Sequence, residues 1–251
     1  MADYLEDIAI DHLLRNQSHT PTATVYLRLY TDATTDAGGG TEATGGSYAP
    51  QAITFAAAAS GASTNSNLIT FTSMPAGTFT HCSITDDASG SPNFLFHGPL
   101  DASKTTTAGQ DLDVGIGDIA VGFTAGSAFT DYARNIVIDR FLRNQSFTPP
   151  ATVYLATYTD ATTRTGGGTE STGGSYARQA CALDAASSGA TANTDTEDFT
   201  NMPSSTITDA AILDASTVGN MMCWGTLNSP VVVPAADTFR IAAGDLTFTV
   251  D

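Results

Sequence analysis

LLRNQSHTPTATVYL (residues 13–27) compresses the end of one kind of periodicity and the start of another, and it recurs at 141–155 as FLRNQSFTPPATVYL. Upstream, Leu5, Ile8, Ala9, His12 and Leu13 fall at i, i+3, i+4, i+7 and i+8, the spacing of one helical face. Pro21 then ends helical order, because its ring removes a backbone donor and fixes φ. In ATVYLRLY (23–30), Val25, Leu27 and Leu29 alternate with Tyr26, Arg28 and Tyr30, the pattern of a half-buried strand. Short apolar runs follow at SYAPQAITFAA, NLITFTSM, FTHCSIT, NFLFHGPL, LDVGI and DIAVGF, separated by Gly, Ser, Asn, Asp and Pro clusters. Strands of this length with such punctuation predict an all-β fold, an antiparallel β-sandwich of jelly-roll-like form preceded by a short N-terminal helix.

The repetition extends far beyond the opening stretch. At an offset of 128, Asp11–Thr85 lies on Asp139–Leu213 without a gap; after residue 86 the offset drops to 127, and NFLFHGPL (93–100) matches NMMCWGTL (220–227). Two tandem domains are therefore expected, 1–124 and 130–251, with 125–129 as a short linker. The glycine-rich GGGTEATGGSYAP (38–50) recurs as GGGTESTGGSYAR (166–178). A phosphate cradle needs glycines that open a helix, with a lysine beside them. These glycines lead into a strand pattern and have no lysine near them, so a turn-forming connection is expected, with Gly at positive φ.

Charge narrows the function further. The 26 acidic and 9 basic residues give a formal net charge of −17, and Lys104 is the single lysine. Such a field repels nucleic acid and anionic membranes, so neither is expected as a partner. No apolar run approaches the ~20 residues of a membrane helix, and MADYLEDIAIDHLL has acids where a signal peptide has basic residues. Synthesis in a host cytoplasm without export is the expectation, with the NQS sites at 16–18 and 144–146 unmodified.

Chemistry finds little foothold. Cys82, Cys181 and Cys223 form no CxxC pair and are read as buried small apolar residues. His12, His19, His81 and His97 all lie in the first copy, where the second has Arg140, Phe147, Asp209 and Trp224. No G-x-S-x-G or comparable signature marks a nucleophile, so no enzyme, catalytic residue or cofactor is expected. Asp86, Asp87, Asp111 and Asp113 offer oxygens of the kind calcium favours, but without an EF-hand pattern they read as solvated acidic turns, and no metal is expected.

Taken in order, LLRNQS.TP.ATVYL, the TDATT turn, GGGTE..GGSYAR, DAS.....N..WG.L and the closing AAGDLTFTV resemble a tailed-phage virion family commonly labelled phage tail fibre or minor virion protein. The resemblance covers nearly all of both copies. The tandem duplication departs from the usual single-domain form, as do Pro50 in place of the motif arginine and HG for WG at 97–98. It implies a non-enzymatic structural protein in the virion, an accessory exposed on the particle as a capsid decoration or a tail or fibre element. A receptor- or glycan-binding tail adhesin is the alternative. The implied partners are the major capsid or tail proteins, further copies of the chain as a homotrimer or other homo-oligomer, and host surface glycan. Two related domains per chain would let a trimer present six surfaces. An acidic protein is expected to place its few arginines at contacts. Arg134, Arg140, Arg143, Arg164 and Arg178, with Trp224, are the candidate contact residues, and they make the second copy the candidate docking domain.

Overall fold

The computed structural model describes residues 1–250 as an all-β protein with two similar halves, each opened by a helix. In the first half, helix α1 (Asp3–Arg15) precedes β1 (Val25–Tyr30), β2 (Gln51–Ile53), β3 (Ala62–Thr64), β4 (Ile69–Met74), β5 (Gly77–Thr85), β6 (Phe94–Thr106), β7 (Gln110–Val114) and β8 (Ala120–Gly122). Helix α2 (Asp131–Arg143) then opens the series β9 (Val153–Tyr158), β10 (Gln179–Cys181), β11 (Ala190–Ala192), β12 (Glu197–Phe199), β13 (Ser205–Leu213), β14 (Met221–Val233), β15 (Phe239–Ile241) and β16 (Thr247–Thr249). Asn16 and Asn144 stop the two helices in left-handed conformation, at φ 54° and 51°, which gives the duplicated NQS a structural role.

Each half builds a four-stranded antiparallel sheet, ordered β2-β1-β5-β6 and β10-β9-β13-β14. Two-stranded ribbons accompany it: β3-β8 and β4-β7 in one half, β11-β16 and β12-β15 in the other. Register is duplicated along with sequence, so that Leu27 faces Ile84 as Leu155 faces Ile212. The long strands β6 and β14 lie at the sheet edge, which is why Pro99 and Pro230 are tolerated within them. Leu27, Leu29, Ile53, Phe71, Met74, Phe79 and Ile84 form the first core, and Leu155, Ile207, Ile212, Phe199 and Met202 belong to the second.

Contacts divide the chain into two compact units that are not the two repeats. Unit 1 comprises Met1–Glu6, Thr20–Thr124 and Asn135–Phe147; unit 2 comprises Asp7–His19, Ala125–Arg134 and Thr148–Asp251. Most of α2 thus belongs with the strands of the first repeat, and most of α1 with those of the second. Burial of α1 agrees with this, since Glu6, Ile10 and Leu14 are buried as well as Leu5, Ala9, His12 and Leu13. A single apolar stripe would have left them in water. The stretch 125–129 is built into unit 2: Phe129 bridges to Cys223, the Ala128 N–H donates to Thr249 O, and Ser127 and Phe129 are buried.

The second core holds one acid where the first has a hydrocarbon. Glu197 on β12, opposite Ile241, stands where Ile69 stands on β4 opposite Val114, and both are buried. Burial raises the Glu197 carboxyl pKa, and the Cys181 thiol beside it offsets this only in part. A carboxyl whose folded pKa is raised contributes stability below the ordinary carboxyl range and loses it as pH rises through the raised value. Glu197→Ile, which borrows the first repeat's solution, is expected to stabilise the protein by about 1–2 kcal/mol at neutral pH. In thermal melts its advantage over the parent should grow from pH 4 to pH 8.

Candidate functional site

The glycine-rich connections are braced from within. In the TDATT turn, the Asp32 carboxylate accepts the backbone N–H and the hydroxyl of Thr41, and Asp160 does the same for Thr169. These bonds, the backbone one foremost, hold both aspartate pKa values below the ordinary carboxylate range. Gly46 and Gly174 sit at φ 58°, where a Cβ would lie 2.2 Å from the carbonyl oxygens of Ser73 and Asn201. Only glycine permits that approach.

At the centre of each loop is a glutamate. Glu42 accepts from Arg28 Nη1 at 2.8 Å and from the Tyr48 hydroxyl at 3.0 Å, while the Tyr48 oxygen takes the Leu29 N–H at 3.0 Å. Arg28 Nη2 also donates to Asp87 O. In the second repeat Glu170 accepts from Arg178 through Nε and Nη2, both at 2.8 Å, and from the Tyr176 hydroxyl, while Arg178 Nη1 reaches Ala215 O. The two tyrosines stack on Phe71 and Phe199 at 5.6 and 5.7 Å, and burial raises both phenol pKa values. The guanidinium therefore meets the same glutamate and a backbone carbonyl of the corresponding turn in both repeats, yet it comes from different positions in the chain. Position 28 corresponds to Ala156, and position 178 to Pro50. The departure at Pro50 is thus compensated by Arg28, which the strand alternation placed towards solvent but which is 6% exposed.

The candidate contact residues do not gather into one patch. Arg134 is 1% exposed and donates to the carbonyls of Phe129 and Ser127 at 2.7 and 2.8 Å. Arg178 lies in the brace. Arg140 and Arg143 lie in the part of α2 that belongs to unit 1, where Arg143 pairs with Asp139 at 2.8 Å and Arg140 bonds Gln145 O. Arg164 remains 49% exposed while pairing with Asp131, and Arg240, paired with Asp198, is 63% exposed. Trp224 is half-buried against Ala156, Tyr158, Ala211, Leu213 and Met221, and its indole N–H is buried without an acceptor.

At the equivalent of Trp224, His97 bonds the Thr34 hydroxyl and Asp36 at 3.0 and 2.8 Å. Asp36 itself stands where Arg164 stands, so one scaffold position is anionic in the first repeat and cationic in the second. Asp86 binds Asn93, Asp87 binds Ser89, Asp111 accepts the Ser73 N–H and Asp113 accepts from Thr70. Among the described residues, no three His, Cys, Asp or Glu side chains are grouped to hold a metal, and no helix is long and apolar enough to cross a membrane. The thiols of Cys82 and Cys181 are both pushed up to about 12 by burial.

The model of one virion family, the podophage GP4 fiber I protein gp80, matches residues 1–122 and again residues 128–249. The chain belongs to that family. It is a phage fibre protein in tandem duplication, a structural component of the virion that associates with other virion proteins. No curated protein matches the chain. Within this gp80-family fibre protein the family model matches each repeat, and the brace occurs once in each match, with its arginine drawn from either of two positions.

The brace makes a reciprocal prediction. Arg28→Ala removes a buried guanidinium bonded to the half-buried Glu42 and should destabilise the protein by about 1–3 kcal/mol, lowering Tm by roughly 3–10 °C. Adding Pro50→Arg reproduces the second repeat's arrangement in the first and should restore most of that loss. Melting curves of the parent, the single variant and the double variant check it.

Proposed function

We propose that the protein is a non-enzymatic accessory element of the phage fibre, exposed on the particle, which docks on neighbouring virion proteins through the second repeat and assembles as a homotrimer. The observation that carries this reading is the contrast between matched positions on duplicated scaffolds. Next to the glycine loop the first repeat offers Asp36 with His97, whereas the second offers the half-exposed Arg164 with Trp224. A guanidinium exposed on a strongly acidic chain is suited to pair with a carboxylate or carbonyl of a partner. Arg240 supplies a second such group. Arg134 and Arg178 are committed inside the fold and serve docking only by holding its surface in place.

Two dissimilar faces on one chain suit a component that binds the particle by one repeat and presents the other outward, and linking them makes the second contact intramolecular. Placement on the head as a capsid decoration is the competing location. Glycan adhesion is the second reading, favoured by Trp224, a half-buried aromatic ring on the edge strand β14.

Particles carrying Arg164→Glu with Arg240→Glu test the docking. Copies per particle, counted by mass spectrometry of purified virions, should fall roughly tenfold at limiting protein, the loss expected for charge-assisted bonds at a contact. Unchanged occupancy would sink docking through these arginines. Trp224→Ala should leave occupancy intact, and a loss of host adsorption in that variant would favour the adhesin reading. Immunogold labelling over the head instead of the tail would move the protein to the capsid.

A further inference from the structure

We propose that the two repeats are obligate partners, each completed by the helix that the other carries, so that the tandem chain is a joined pair and not two independent domains on a string. The partner that the β2–β3 connection of the first repeat and the β10–β11 connection of the second each fit is the helix of a second repeat of the same kind.

Matched bonds carry the proposal. Within unit 1, Asn135 Oδ1 on α2 accepts the Gly61 N–H at 2.9 Å and Asp139 Oδ1 accepts the Ala58 N–H at 3.0 Å. Within unit 2, Asp7 Oδ1 on α1 accepts the Gly189 N–H at 2.9 Å and Asp11 Oδ1 accepts the Ala186 N–H at 3.0 Å. Asp7 corresponds to Asn135, Asp11 to Asp139, Ala58 to Ala186 and Gly61 to Gly189. Two acceptors at i and i+4 on a helix thus meet the same two loop donors in both places. Arg15 Nε adds a bond to Leu183 O at 3.0 Å.

The loops need such a cap. Ser60 and Ser188 are both held at φ 51° and the following glycines, which are buried, also have positive φ. Without an acceptor those N–H groups lack a partner that buried backbone requires.

Chain path explains why the helix serves the other repeat and not its own. The start of α1 is tied to unit 1 by Ala2 N–H to Leu95 O and Asp3 N–H to Asp36 O. The start of α2 is tied to unit 2 by Thr130 N–H to Met222 O and Asp131 N–H to Arg164 O. A straight helix of this length runs about 20 Å, so its later turns are carried away from the strands that anchor its first. Duplication keeps both helices and both loops on one chain at high effective concentration.

The test uses the full chain with a protease recognition sequence inserted between Ala125 and Gly126, both exposed, and cut after folding. Sedimentation of the nicked protein at micromolar concentration should give one species with the mass of the uncut protein run in parallel. Two half-mass species that keep the native circular dichroism would overturn the proposal. In the nicked protein, Asn135→Ala with Asp139→Ala should weaken association of the fragments at least about tenfold. Asn135→Asp, which installs the first repeat's own residue and keeps the acceptor, should hold the fragments as tightly as the parent. Equal affinity in the alanine variant would also overturn the proposal.

Discussion

A half-buried glutamate is held by a guanidinium and a tyrosine hydroxyl, and each repeat organises its glycine-rich connection around that charge-assisted interaction. Glu42 and Glu170 fix the position of a guanidinium, a tyrosine and, through the tyrosine, the backbone of the central strand. The same tyrosine stacks on a phenylalanine of a ribbon strand, so the brace ties four-stranded sheet, loop and ribbon together. Glycines enter because the loop must pass within bonding distance of other backbone, where a side chain would collide. What resembles a ligand-binding loop in composition is a braced structural element whose glutamate and tyrosine turn inward while its threonines and most of its glycines stay exposed.

Exchange of helices sets the second level of organisation. Each helix begins on its own repeat's strands and continues in the other unit, so each unit contains residues of both repeats. For a fibre protein this gives one chain two related faces on a single covalent frame. Divergence is then free to act on the exposed positions, as it has at Asp36 and Arg164, while the brace and the helix-capped loops are kept in both copies.

Much of this was legible in the sequence. Periodicity placed the first helix and most strands of the first repeat, and self-similarity carried both to the second, because these signals are local or repeat at a fixed offset. The order of motifs also pointed to the virion family that the comparison identifies. Arg28 was not legible, since alternation along ATVYLRLY assigns it to solvent and only the glycine loop, folded over that face, buries it. The short strand Ala62–Thr64 has too few residues for a period. Nor does helical periodicity say which strands a helix will pack on, and residues 125–129 read as a linker through small size alone. Of the candidate contacts, Arg134 and Arg178 resemble Arg164 in sequence, and only burial and partners separate them.

The most direct test of the brace is a double-mutant cycle on Glu170 and Arg178, using Glu170→Gln and Arg178→Ala singly and together, with unfolding free energies measured in denaturant. If the pair anchors the loop, the coupling energy should be about 1–2 kcal/mol, because each single change leaves a half-buried, hydrogen-bonded charge without its partner and the double change removes both. A coupling below about 0.5 kcal/mol, typical of an exposed ion pair, would contradict the account.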